Sequence, residues 1–279
     1  MRAFGVVMMA VCGCLSKPSP PTESSCPWST TATAITDPLI QNMSVNGPWL
    51  SDDLSLIWFT LYNSASDHNV VWSAGSHGAF GNYSGAAIDD SNLQDDPYVD
   101  TENNELWWSS GSGGTTYIWV DTTSDASDGG AMATMHMELG STTSSSASTL
   151  EPALGPGAFD IYYSPDEKTI WHAHREHIAD MFSGMEALSC DDDVESPSIA
   201  SDGVTIYVTD NSDGPGHISQ GTITGTTISE LVEVGQFQNP AWRYQDPSIS
   251  VDDQTLVFAA KPEGETNDQL YYVTRDCTQ

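Results

Sequence analysis

DPSISVDDQTLVF, from Asp246 to Phe258, is one phrase that the chain writes five times with variation. The other copies are SPSIASDGVTIYV (Ser196 to Val208), DIYYSPDEKTIWH (Asp160 to His172), DPYVDTENNELWW (Asp96 to Trp108) and GPWLSDDLSLIWF (Gly47 to Phe59). A phrase recurring at intervals of tens of residues signals one supersecondary unit built repeatedly. Registered on a Ser-like position (Ser51, Asp100, Ser164, Ala200, Ser250), the copies stand 49, 64, 36 and 50 residues apart.

The chemistry of the phrase predicts a hairpin. Two places after the register position comes an acid in every copy: Asp53, Glu102, Asp166, Asp202 and Asp252. Short polar side chains there bond their own backbone and close a tight turn. At +6 and +8 stand Ile57 and Phe59, Leu106 and Trp108, Ile170 and His172, Ile206 and Val208, Leu256 and Phe258. Alternate residues of a strand share a face, so these pairs build the core. A proline at −3 in four copies suits a strand start, where no ladder donor is needed. Further β-rich segments follow each copy, among them Val70 to Trp72, Tyr117 to Val120 and Leu270 to Val273. Four antiparallel strands per unit make a propeller blade. The expected fold is all-β, a single propeller of five blades, or six if the 64-residue interval hides a degenerate one. The last unit lacks a fourth strand, and the unassigned Thr30 to Ile35 is expected to supply it and close the ring.

The charge sets the partners. With 39 Asp and Glu against 7 Lys and Arg, the net charge is −32. That excludes nucleic acid and direct docking on anionic lipid. The N-terminus reads as an export signal: Arg2, then an apolar run from Phe4 to Val11 that is too short to span a bilayer. Val11-Cys12-Gly13-Cys14 resembles a bacterial lipobox, which implies lipidation of Cys14 and a membrane contact made only through that lipid. The expected layout is a signal peptide over residues 1–13, the lipidated Cys and a tether over 14–28, and the propeller over 29–279. Leu15 after the lipid-bearing Cys is compatible with outer-membrane delivery in a Gram-negative cell. Export permits disulfides. Ring closure would bring Cys26 beside Cys277, so these two are expected to pair, leaving Cys190 as an unpaired thiol.

SPDEKTIW and SVDDQTLVF, each followed by an aromatic strand, resemble the WD-like repeat of TolB-type β-propellers. The terminal run DPSISVDDQTLVFAAKPEGETNDQLYYVTR carries the likeness most fully. The resemblance spans about Gly47 to Arg275 and implies the propeller fold without implying an activity. Glu102-Asn103 in the second copy and His172 in the third depart from its pattern.

In a propeller, the start of each innermost strand lines the central channel. The −4 residues there are Gly47, Asp96, Asp160, Ser196 and Asp246, with Asp95 and Glu195 one place earlier. Asp96, Asp160, Glu195 and Asp246 are therefore candidates for a ligand or a hard cation such as Ca²⁺, which takes oxygen ligands. Paired carboxylates also serve glycosidases. His172, His174 and His177 form a second candidate, a metal site in which the first two share one strand face. His172 is expected to be buried at a core position. The main expectation is a monomeric, membrane-anchored binding module without catalytic activity, for an envelope protein or a carbohydrate. The alternative is a carbohydrate-active enzyme, glycosidase or lyase, using Asp96, Asp160 and Asp246. A structural envelope protein is the third reading.

Overall fold

The computed structural model describes residues 26–35, 43–64, 67–76, 79–81, 83–86, 93–112, 115–122, 134–141, 151–166, 168–212 and 214–275. Five small antiparallel sheets follow one another around an axis. Strand β1 (Thr33–Ala34) comes first in the chain and is used last. Blade I is β2 (Ser44–Leu50), β3 (Leu56–Ser64), β4 (Asp67–Ser76) and β5 (Ala79–Phe80), with β6 (Ser84–Gly85) also on β4. Blade II is β7 (Leu93–Asp100), β8 (Glu105–Ser112), β9 (Thr115–Thr122) and β10 (Thr134–Ser141). Blade III is β11 (Ala153–Leu154), β12 (Asp160–Tyr163), β13 (Trp171–His174) and β14 (Ser183–Ala187). Blade IV is β15 (Val194–Ile199), β16 (Thr205–Asp210), β17 (His217–Thr224) and β18 (Thr227–Glu233). Blade V is β19 (Arg243–Ile249), β20 (Thr255–Lys261) and β21 (Gln269–Thr274), completed by β1, with Thr33 opposite Tyr272. The propeller thus has five blades, and an N-terminal strand closes it as expected.

The predicted turns form as their chemistry requires. In blade V, Ser250 Oγ donates to Asp252 Oδ1 at 2.7 Å, and the Thr255 amide donates to Ser250 Oγ at 2.9 Å. In blade I, the Ser55 amide donates to Asp53 Oδ1 at 3.0 Å and the Leu56 amide to Ser51 Oγ at 3.0 Å. In blade IV, Asp202 Oδ1 accepts from the Val204 and Thr205 amides at 2.9 and 2.8 Å.

The third copy is corrected. Asp160 to Tyr163 is the second strand of blade III, and Trp171 to His174 is the third. The innermost strand is β11, preceded by Glu151-Pro152. A turn over Pro156–Ala158 joins it to β12. The polar Ser164 to Lys168 turn has the chemistry of a first hairpin but connects the second strand to the third. Prolines now mark all five inner strands, Pro48, Pro97, Pro152, Pro197 and Pro247, at spacings of 49, 55, 45 and 50.

The core is five seams, one between each pair of neighbouring blades. Trp58 and Trp108, both almost fully buried, pack between blades I and II with Trp49 and Val99. Trp107 packs with Leu154 and Ile161 between II and III. Tyr162, Ile170 and Ile206 fill the next seam, and Tyr207, Tyr244 and Phe258 the one after. Phe59, Val257 and Leu270 close the ring between V and I. Each blade buries both faces, which is why apolar residues occupy consecutive positions in its second strand rather than alternating.

Candidate functional site

Five residues at one structural position surround the axis: Gly47, Asp96, Glu151, Ser196 and Asp246. Each precedes one of the five prolines, and each has a left-handed backbone, with φ of 53, 54, 44, 51 and 53° respectively. A side chain in that region costs about 1–2 kcal/mol, and such outliers gather where the surrounding structure holds them for use. The ladder slips at this point in blades I, II, IV and V, a β-bulge that re-aims the side chain. Gly47 has a further reason to be glycine. A Cβ there would stand 2.6 Å from Asp96 Oδ1 and 2.7 Å from Asp96 Cα.

The ring is tied by a repeated bond. An inner-strand amide donates to a hydroxyl on, or just after, the second strand of the preceding blade: Asp96 N to Thr60 Oγ1 (2.8 Å), Ser196 N to Ser164 Oγ (3.1 Å) and Asp246 N to Thr209 Oγ1 (3.0 Å). Blade V carries Ala259 where the others carry Thr or Ser, so no hydroxyl waits for Gly47. The Gly47 amide instead donates to the Asp246 carboxylate at 3.2 Å. Ser196 bridges two acids. Its amide donates to Glu151 Oε2 at 2.5 Å, and its Oγ donates to Asp246 Oδ1 at 2.9 Å.

These acids are deeply set. Asp96 and Asp246 are 6% and 7% exposed. Burial, then the charges of Asp95 and Asp246, holds the Asp96 carboxyl well above the usual range. Burial, then the charge of Glu195, does the same to Glu151, whose carboxyl lies deep although the residue is partly exposed. Asp246 is raised by burial, with the Gly47 amide and the Ser196 hydroxyl opposing. Among the described residues, Asp96 Oδ2 has no hydrogen-bond partner.

Above this ring the axis opens into a cavity of ≈ 430 Å³, lined by Glu151, Glu195, Asp246, Asp193, Asn46, Asn211, Lys168, Arg243, Tyr244, Gln245 and Thr209. Asn211 Nδ2 donates to Glu195 Oε1 at 3.0 Å, Lys168 pairs with Asp193 at 3.0 Å, and Arg243 with Asp268 at 2.8 Å. At the level of the five prolines only ≈ 40 Å³ of space remains. The cavity is a cup that narrows at the ring of prolines, and a further cavity of ≈ 190 Å³, lined by Tyr98, Ile199 and Ile249, lies beyond it.

Of the expected site residues, Asp96 and Asp246 lie on the axis and Glu195 lines the cup. Asp160 does not reach the axis. It opens β12 at the other end of blade III, where its Oδ1 meets His172 Nε2 at 2.8 Å and His174 Nδ1 at 2.9 Å. The hydrogen bond from His172 holds Asp160 below the usual carboxyl range and raises His172. His172 is half-buried on a third strand and not in the core. His177 turns away to Asp180, at 2.8 Å. Glu151 is the axial residue that the repeat register misses; the Glu-Pro-Ala-Leu pattern marks it. Cys14 and Cys277 lie outside the described residues. Cys26 is disulfide-bonded, and Cys190 is a free thiol.

Fold and cup together define a five-bladed β-propeller with an acidic axial cavity. No family model and no curated protein matches the chain. Among solved structures it is similar to the catalytic domain of a GH62 α-L-arabinofuranosidase from Coprinopsis cinerea, with a TM-score of 0.59, 9% identity, and coverage of 90% of this chain and 98% of that one. A GH62 hydrolase in complex with xylotriose gives a TM-score of 0.61 at 8% identity, over 90% and 98%. A TolB-type protein from Agrobacterium tumefaciens gives 0.50 at 12% identity, over 82% and 76%. At these identities the likeness concerns the fold. The glycoside hydrolases superpose over more of the chain than the TolB protein does, and the expectation of a non-catalytic binding module is set aside.

Proposed function

We propose that this protein is a glycoside hydrolase that holds a sugar in the cup and breaks its glycosidic bond with Glu151 and Glu195. The observation that carries this reading is a pair of carboxyls, Glu151 and Glu195, lining one polar cavity, the first held well above the usual range by burial and by the charge of the second. Glycosidic cleavage needs that division of labour: one acid to protonate the leaving oxygen, one carboxylate on the opposite side of the bond. Glu151, raised by burial and by Glu195, keeps a proton to deliver as the C–O bond breaks. Glu195, oriented by Asn211, supplies the carboxylate. Asp96 and Asp246 lie in the ring beneath, so the proton on this cluster of acids is shared among neighbours, with burial and Glu195 the main causes of the Glu151 shift. A cup of ≈ 430 Å³ is within the range of small-ligand sites. Pentosides are the first substrates to try, because the similar structures include an arabinofuranosidase and a xylotriose complex.

The test is hydrolysis of aryl pentofuranosides and pyranosides, and of arabinoxylan, by the exported domain. The wild type should release sugar. Glu151→Gln and Glu195→Gln should each lower kcat by about 10²–10⁴-fold, the usual worth of a general acid or base. Loss of Glu151 should also abolish the alkaline limb of the pH profile. No turnover across the panel, or wild-type rates in both variants, would refute the reading. Export with a lipid on Cys14 is part of the same proposal, and so is a Cys26–Cys277 bridge. The antiparallel pairing of Trp28 with Arg275 supports that bridge, since Cys26 and Cys277 each stand two places beyond that pair in the sequence. Mass spectrometry of a non-reduced digest tests the bridge.

A further inference from the structure

We propose that the sugar in the cup belongs to an acidic glycan, and that Arg243 recognises the carboxylate of a uronic acid next to the bond to be cut. This rests on the reading of the cup as a glycosidase site and names the chemistry of its substrate. The starting observation is where the cations stand. Among the described residues there are five, Lys168, Arg175, Arg243, Lys261 and Arg275. Two are taken up by the fold. Arg175 is 2% exposed, with its guanidinium 4.6 Å from the Phe182 ring, and Arg275 stacks on Trp28 at 4.5 Å and donates to Tyr207. The other three stand at the cup end of the molecule. Lys168 and Arg243 line the cup, and Lys261 is the cross-strand partner of Arg243. A chain with 39 acids thus gathers its remaining described cations around one cavity.

Arg243 is held ready for an anion. It opens β19 two places before Gln245, so both side chains leave the strand on one face and reach the cup. A single nitrogen, Nη2, donates to both oxygens of Asp268, at 2.8 and 2.9 Å. Asp268 is buried and also accepts from Ser44 Oγ at 3.1 Å, which fixes the guanidinium from behind. The arginine side chain is still 39% exposed, and among the described residues its Nη1 donates to no protein group. The two N–H groups of Nη1 are open to a second carboxylate, and a hydrogen bond between ions is about twice as strong as a neutral one. Lys168 is held only by an exposed pairing with Asp193, which is weak, so its ammonium can turn to the same anion. The net charge of −32 does not prevent this. Exposed charges more than about 8 Å away are largely screened at physiological ionic strength, so contact with the cations decides the outcome.

Calorimetric titration of the full chain carrying Glu151→Gln, which should bind without cutting, tests this with two probes: xylotriose, and xylotriose bearing one glucuronic acid branch. The acidic probe should bind at least 10-fold more tightly. Adding Arg243→Gln should remove the preference, and methyl esterification of the glucuronic acid should do the same. Arg243→Lys keeps a cation beside buried Asp268, which guards the fold, and should also weaken the preference because an ammonium cannot serve two carboxylates from separate nitrogens. Equal affinity for the two probes, no binding of either, or a preference that survives both Arg243→Gln and esterification would overturn the proposal. The two readings fail separately. A preference for the acidic probe with no hydrolysis by the wild type would sink the glycosidase and keep the acidic ligand, whereas hydrolysis of neutral pentosides without the preference would do the reverse.

Discussion

A single carboxyl, Asp96, shows how the axis trades stability for chemistry. Its Oδ2 is buried without a partner among the described residues, and its neighbours Asp95 and Asp246 are also acids. An acid raised in the fold is penalised as soon as its unfolded counterpart ionises. The cost therefore grows as pH climbs above the ordinary value of 3.8 and stops growing only when the folded group ionises too. Asp96→Asn cannot ionise. It should melt higher than wild type at pH 7.5, by about 2–4 °C for each kcal/mol of relief, and the gap should close below pH 4. Differential scanning calorimetry at both pH values checks this. A lower melting point at pH 7.5 in the variant would show that the charge is wanted there, as it would be if Ca²⁺ sat on the axis. Asp96 and Asp246 were legible from the phrase alone. Their left-handed backbone was not, since nothing in a composition distinguishes a bulged aspartate from one in a regular strand.

Among the elements, hairpin chemistry was the most readable feature and also the source of the one register error. Ser-x-Asp turns close the first hairpins of blades I and V, and a short acid does similar work in blade IV. Ser164-Pro165-Asp166 has the same composition and closes a second hairpin instead. The prolines were the sounder anchor, because the bulge fixes their place at the axis whereas any hairpin can use a polar turn. Glu151 falls outside the hairpin register for that reason, and Asp160 and the histidines stand one strand further from the axis than that register implies. Ring closure was readable, because the last unit ran out one strand short. In the fold β1 covers the edge of β21, Trp28 lies under the Arg275 guanidinium at 4.5 Å, and Arg275 reaches Tyr207 at 3.0 Å. Truncation through Ile35 should strip that cover, lower the melting point and promote self-association through the bared edge. Light scattering alongside thermal melting would show it. A monomeric truncation with an unchanged melting point would mean that the closing strand contributes nothing.

At the scale of the whole molecule, five seams replace a single core, so stability is distributed around the circle while a buried cluster of acids sits at its centre. The repeat count and the burial of both blade faces followed from apolar pairs at +6 and +8 and from tryptophans between them. The cup did not, because it depends on how far five inner strands stand apart, and no spacing along a chain reports that. Its narrowing has a consequence for substrates. Space shrinks from ≈ 430 Å³ on the acid-lined side to ≈ 40 Å³ at the prolines, so on the proposed function a sugar seats on the acid-lined side of the ring. A hydrolase working there is expected to trim tips and branches. Digestion of a decorated polysaccharide should then yield single sugars while size-exclusion chromatography finds the backbone uncut.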